Sequence, residues 1–356
     1  MTKRQYNLDL LKALAIISMV ICHAVIQFAY HIPGYEQDMP YRIADIFFGD
    51  YLVVAHGFMF AMGVGIVYSR RQEPADNIRR GIRLYLLAFV LNFFRYGIYM
   101  LADAIIEGRF LKETYFAFFA QDILHFAGLA MILTGILKKW KLSPYKILGI
   151  GIALSAIGGP IAFVCHRQPV FDYILGHFIY TTYDGSTFAL FNWYIFVAVG
   201  IAFGTILKRT EDKDRFYGRL LRISLAVMIV YIALTAVFGP LFMTKRHWCY
   251  AISLPESIGM LSIDMTLLSA FYFLLKKVDV SRFSVFITMS RNIKQIYCIH
   301  WCIIGFVDSI FCYLLGYVFH YPFMYLFSIP VLVASYWLAK WWNGRKRKRV
   351  NGDGSK

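Results

Sequence analysis

Three ionisable residues share one stripe of the first apolar run, which reads Asn7-Leu-Asp-Leu-Leu-Lys-Ala-Leu-Ala-Ile-Ile-Ser-Met-Val-Ile-Cys-His-Ala-Val. On a helix advancing 100° per residue, Lys12 and His23 lie about 20° apart and Asp9 about 40° from His23. His23 stands roughly 21 Å further along the axis than Asp9. Ionisable groups inside a membrane helix cost roughly 2.5–3.5 kcal/mol each on insertion scales, so they face a bundle interior or a wet cavity. An imidazole held there is suited to general-base chemistry.

Other residues with chemical potential are spread along the chain. Arg79, Arg80 and Arg83 cluster where an apolar run begins, and Arg80 and Arg83 share a face at i, i+3. Guanidinium groups offer phosphate bidentate donors in fixed geometry. The same cluster also serves positive-inside topology, and the sequence does not choose between the two uses. Asp122 and His125 are three apart at the start of a later run. Asp122 could neutralise Arg95, which is placed mid-span, or orient a histidine. Tyr297 and His300 sit one turn apart near Asp308, and His31, Glu36, Asp38 and Asp45 crowd the first connection. His166, Asp172, His177, Tyr183 and Asp184 mark a longer one, whose mix of aromatic and polar residues suits carbohydrate as well as an interfacial belt.

No histidine pair has zinc-ligand spacing, and there is no Walker or dinucleotide fingerprint. The six cysteines form no CxxC pair, and Cys298 and Cys302 read as small bundle residues.

These residues must be positioned by membrane helices. The chain is 59% hydrophobic and only 16% charged, with a mean hydropathy of +0.56. Soluble domains carry about a quarter charged residues. The fold class expected is an all-α polytopic membrane bundle of about ten transmembrane helices. The runs are roughly 8–29, 50–69, 81–105, 116–137, 146–165, 188–207, 218–238, 256–276, 293–316 and 321–341, and a re-entrant segment fits within 166–187. The first run is too long for a signal peptide and lacks a small-residue cleavage site.

With the N-terminus inside, the inner segments carry 29 Lys and Arg and the outer loops 6, leaving Lys12 and Arg95 within spans. That bias puts both termini in the cytoplasm. It also turns the net charge of +16 into a topology signal rather than a nucleic-acid one. Residues 1–341 then form the membrane domain and 342–356 a basic cytoplasmic tail, for which anionic lipid is the expected partner.

In this order the pieces resemble the transmembrane acyltransferases, both the acyltransferase-3 proteins and the heparan-alpha-glucosaminide N-acetyltransferases. The opening Arg4…Leu8-Asp9…Lys12…His23 is similar to an "R-x-x-x-L-D-x-L-R-x-x-A" run ending in histidine, with Lys12 in place of Arg. Phe58-Met-Phe-Ala-Met-Gly looks like the second helix of the heparan branch. Arg80-Gly-Ile-Arg83 looks like the Arg-x-x-Arg pair of the acyltransferase-3 branch. Asp122-Ile-Leu-His125 and Tyr297-Cys-Ile-His300 resemble the fourth and penultimate helices. The likeness spans about residues 4–305.

The resemblance implies acyl transfer from cytoplasmic acyl-CoA, acetyl-CoA by default, to a hydroxyl or amine of a glycan or lipid-linked sugar outside the plasma membrane. Under it Arg80 and Arg83 are the arginine pair and His23 is the catalytic base. In physical terms Arg80 and Arg83, joined by Arg79, would hold the donor phosphates, and Asp122 or His125 would orient His23, without a metal. The heparan branch instead places its histidine in the following loop, where this chain offers His31. A proton-coupled transporter or flippase is the competing class, since Asp9, Arg95, Asp264 and Asp308 within spans suit a translocation path.

Overall fold

The computed structural model describes residues 4–51, 55–106, 108, 118–161, 174–179, 187–238, 243–246 and 249–352. His166, Asp172, Tyr183 and Asp184 of the long connection lie outside the described residues, as does most of the 166–187 segment.

Helix α1 (Tyr6–Ala29) is followed by a 3₁₀ turn (Tyr35–Gln37), a helical turn (Met39–Arg42) and a π-helical stretch (Ile43–Tyr51). Then come α2 (Ala55–Tyr68), α3 (Pro74–Ile106), α4 (Ile123–Lys139), α5 (Pro144–Ile161), α6 (Leu190–Arg209) and α7 (Lys213–Phe238). A small antiparallel hairpin, β1 (Met243–Arg246) and β2 (Cys249–Ile252), pairs Met243 with Ile252 and Arg246 with Cys249. The chain continues with α8 (Leu254–Lys277), α9 (Ser284–Arg291), α10 (Ile293–Val307) with a π turn (Asp308–Leu314), and α11 (Tyr321–Gly352).

The molecule is a helical membrane bundle. Each of the ten apolar runs falls on a helix over most of its length. Among the described residues six helices are long and apolar enough to cross a membrane: α1, α6, α7, α8, α10 with its π turn, and α11. Local chemistry explains where the ends differ from the apolar runs. Within the 116–137 run α4 begins at Ile123, where Asp122 caps it. The 81–105 run starts early, at Pro74, since proline suits a first helical turn. The basic segment beyond residue 341 continues α11 to Gly352 without a break.

The chain divides into two compact units. One comprises Met1–Arg4, Ala55–Asn92 and Leu111–Ala270; the other comprises Gln5–Val54, Phe93–Phe110 and Phe271–Lys356.

In the first unit α6 is the central helix, with Trp193, Tyr194, Phe196, Val197 and Ala198 all buried. It packs against α2 and α5. Close approach is set by glycine. A Cβ on Gly63 would strike Val197 O and the Gly200 backbone, and one on Gly200 would strike Phe60 O and Gly63. A second seam joins α3 to α4, where a Cβ on Gly81 would meet Gly128 O at 2.6 Å and one on Gly128 would meet Gly81 O at 2.8 Å. Small residues allow such contacts, which stabilise membrane bundles through packing rather than hydrophobicity. Polar bonds tie other pairs: Thr134 Oγ1 to Tyr194 OH at 2.9 Å between α4 and α6, and Thr266 Oγ1 to Ser224 Oγ at 2.9 Å between α8 and α7. The outer face of α7 (Ile223, Ile229, Val230, Val237) is apolar and uncovered, as a lipid-facing surface is.

In the second unit α1 is enclosed by α9, α10, α11 and the π-helical stretch, burying Leu11, Ile16, Val20, Val25 and Phe28. Buried polar pairs fix the register. Ser290 Oγ donates to Asp9 Oδ1 at 2.6 Å, and Asn343 Nδ2 donates to Asn292 Oδ1 at 2.6 Å. The connection after α1 is pinned to α11, with Tyr321 OH donating to Asp38 Oδ2 at 2.7 Å and Tyr325 OH to Pro40 O at 2.6 Å.

Candidate active site

The polar stripe of α1 lies against the C-terminal helices. His23, Gln27 and His31 follow one another at intervals of four, which stacks them on one side of the chain. His300, Ile304 and Asp308 repeat that interval on α10 and its π turn. The two rows meet. His23 Nδ1 is 2.9 Å from His300 Nε2. One turn on, Gln27 Nε2 donates to Asp308 Oδ2 at 3.0 Å, and His31 Nε2 is 2.8 Å from Asp308 Oδ1.

His300 is fully buried and its Nδ1 lies 3.0 Å from Ile296 O. A carbonyl oxygen only accepts, so that nitrogen carries hydrogen and Nε2 of the neutral ring holds the lone pair. His23 must then donate through Nδ1, leaving its Nε2 unprotonated. Among the described residues that Nε2 has no hydrogen-bond partner, and His23 as a residue is half-buried.

Rings hold the pair in place. Trp301 stacks on His23 with centroids 4.2 Å apart and planes 26° apart, while Tyr297 meets His300 edge-on at 5.3 Å. The Trp301 indole donates to Tyr297 OH at 3.1 Å. Arg95 places its guanidinium carbon 3.2 Å from the Trp301 ring centroid, a cation–π contact that offsets the cost of a charge on an otherwise apolar stretch of α3. A Cβ on Gly305 would meet Arg95 O at 2.8 Å, so glycine is what lets the α3 backbone approach here.

Asp122 and His125 belong to the first unit, and there they bind each other's backbone. Asp122 Oδ1 accepts from Leu124 N at 3.0 Å, and Asp122 N donates to His125 Nδ1 at 3.1 Å, closing the start of α4 as a capping box. Because Nδ1 accepts, the hydrogen of neutral His125 sits on Nε2. That atom is buried with no partner among the described residues, amid Tyr85, Phe89 and His177 at ring distances of 4.5–5.3 Å. His56 and Asp264, also in this unit, form a sealed pair at 2.9 Å.

Arg79, Arg80 and Arg83 are all exposed. Among the described residues none has an ion pair or hydrogen bond. Gly81 faces the α4 seam, which turns Arg80 and Arg83 outward from it. One turn earlier, Asn77 is fully buried, and both its amide atoms lack partners among the described residues. Buried amides are rarely left so.

The pairing of His23 with His300, the Gln27–Asp308–His31 group and the unpartnered Asn77 add to the residues expected from sequence. The matched intervals of four on α1 and α10 were the available signal for the first two; nothing in the sequence marks Asn77.

No curated protein matches the chain. A family model described as an acyltransferase domain matches residues 5–337, which takes in the histidine pair, the arginine cluster and most of both units. The chain belongs to the acyltransferase-3 family of membrane acyltransferases.

Proposed function

We propose that the protein moves an acyl group, acetyl by default, from cytoplasmic acyl-CoA to a hydroxyl or amine of a glycan or lipid-linked sugar on the outer side of the cell membrane, with both termini cytoplasmic. The observation that carries the reading is the chain Ile296 O, His300, His23, which leaves His23 Nε2 with a free lone pair. As the acceptor oxygen or nitrogen attacks the thioester carbonyl, its proton passes to Nε2. The tetrahedral intermediate collapses, the carbon–sulfur bond breaks, and the leaving sulfur takes the proton back from Nε2. Base catalysis of this kind contributes typically 10²–10⁴-fold. His300 keeps the ring in its working tautomer, and Trp301 keeps its plane fixed.

Arg79, Arg80 and Arg83 hold the donor phosphates, near a helix N-terminus whose dipole also favours anions. Asn77 meets an amide of the donor's pantetheine arm. Asp122 and His125 are the further residues assigned to assisting His23. The basic end of α11 contacts anionic lipid, with Lys340 and Arg345 already lying over Trp337 and Trp341 at 4.7 and 4.1 Å.

The test is release and transfer of label from radiolabelled acetyl-CoA by purified protein in detergent, with mixed surface glycans as acceptors. His23→Ala is expected to bind acetyl-CoA and do neither. Full activity in that variant removes His23 from the chemistry. Absence of acetyl-CoA binding by wild type, with substrate uptake that survives in Arg80→Ala/Arg83→Ala, would make the protein a carrier.

A further inference from the structure

The Gln27–Asp308–His31 group is not used by the reaction at His23. Asp308 is 3% exposed and is surrounded by donors: Gln27 and His31 at 3.0 and 2.8 Å, and the Cys312 thiol, which also hydrogen-bonds it. The carboxylate is therefore satisfied by protein. Its effect falls on His31, whose side chain is 28% exposed. With Nε2–H committed to Asp308, His31 presents a lone pair at Nδ1. Among the described residues Nδ1 has no partner.

Such an oriented, half-open imidazole backed by a sealed carboxylate is built to accept a hydrogen bond from something outside the protein. The same connection sets Tyr30 edge-on to Tyr35 and Tyr35 edge-on to Tyr41, with centroids 5.3 and 4.8 Å apart. Burial is the main cause pushing the phenols of Tyr35 and Tyr41 up, so they stay neutral. Tyr30, next to His31 in sequence, is 40% exposed, and an exposed aromatic beside a hydrogen-bond acceptor suits a polyhydroxylated ring.

His31 is eight residues past His23, about 12 Å at the helical rise of 1.5 Å per residue. We infer that His31, oriented by Asp308 and Gln27, is an acceptor-binding residue whose Nδ1 takes a hydrogen bond from a hydroxyl or amine roughly 12 Å from the acylated atom. The acceptor is then a saccharide longer than one ring. This rests on the proposed transfer at His23 and adds the acceptor's length to it.

The test uses membranes of cells that lack their own copy and make wild type, His31→Gln, Asp308→Asn or His23→Ala at matched levels, so the natural acceptor is present. Labelled acetyl-CoA is added, and acetate release and label on glycan are measured separately. The labelled product is then cut into fragments of one to four sugars, deacetylated and offered back. For wild type, kcat/KM should rise with the second sugar. In His31→Gln that rise should disappear through a tenfold to hundredfold higher acceptor KM, as expected for losing a hydrogen bond to a charge-backed partner. The KM for acetyl-CoA and acetate release should stay within twofold. Asp308→Asn should follow the same KM-against-kcat split.

A single sugar accepted by wild type as well as longer fragments would overturn the inference. So would acetate release falling in parallel with transfer in His31→Gln. Wild-type membranes that move no label would remove the transfer reading and this inference with it, whereas a defect confined to His23→Ala would remove this inference alone.

Discussion

His300 accepts from His23 because its own Nδ1 is bound to Ile296 O, so one backbone carbonyl on α10 sets the tautomer of an imidazole on α1. The carbonyl belongs to a regular helix and does not rotate. His23 thereby gains a defined proton location without a carboxylate partner.

His300→Phe should cost transfer about 10²–10⁴-fold in kcat, the usual span for general-base assistance. His300→Gln, whose side-chain oxygen can still accept from His23 Nδ1, should retain more activity than His300→Phe. Acetyl-CoA binding by calorimetry should be equal in both variants and wild type. Equal kcat in the two variants would show that packing, not the accepting atom, is what matters at this position.

Arg80→Ala and Arg83→Ala should each raise the KM for acetyl-CoA about tenfold to a hundredfold, and Arg→Lys should recover only part of it, since an ammonium lacks the fork. The effect should shrink when dephospho-CoA thioesters, which carry fewer charges, replace the donor. Steady-state kinetics in detergent with both donors decides it.

Asn77→Leu separates structure from binding. Removing two unsatisfied buried amide atoms should leave the melting temperature unchanged or raise it. The KM for the donor should nevertheless rise about fivefold to tenfold, the worth of one ordinary hydrogen bond. A lowered melting temperature with unchanged KM would show that the amide serves the fold.

Gly63→Ala and Gly65→Ala make a paired test of the α2–α6 contact. At Gly63 a Cβ meets backbone, whereas at Gly65 nothing lies within 4 Å. Gly63→Ala should destabilise by about 1–3 kcal/mol, as overpacking does. Gly65→Ala should be neutral or stabilising, because alanine is the better helix former. Thermal unfolding in detergent, followed by intrinsic fluorescence, reads both.

The bundle was legible because apolar runs of spanning length have few alternatives in lipid. The helix ends were less so. Asp122 starts α4 by a local cap that an apolar count does not see, and Pro74 starts α3 well before its apolar stretch. His23 stood out because an imidazole inside a spanning run is costly, and Arg80 and Arg83 because they flank one. The roles around them were not legible. Sequence spacing reports which residues share a face of one helix, as with His23, Gln27 and His31, but not which helix that face meets. Pairing α1 with α10 requires tertiary contact between residues nearly three hundred apart. The i, i+3 spacing of Asp122 and His125 suits a catalytic pair and a capping box alike, and sequence does not separate the two.

The glycine contact between α2 and α6 has a consequence for biogenesis. Gly63 is synthesised long before Gly200, and α2 is among the shorter apolar helices of the described residues. A ribosome releasing α2 gives the membrane a short segment whose close-packing partner does not yet exist. Until α6 emerges, its bare glycine backbone faces lipid or another protein. The nascent chain is thus dependent on whatever shelters α2 at the insertion machinery, and a variant that delays α6 should be degraded even when its finished fold is sound.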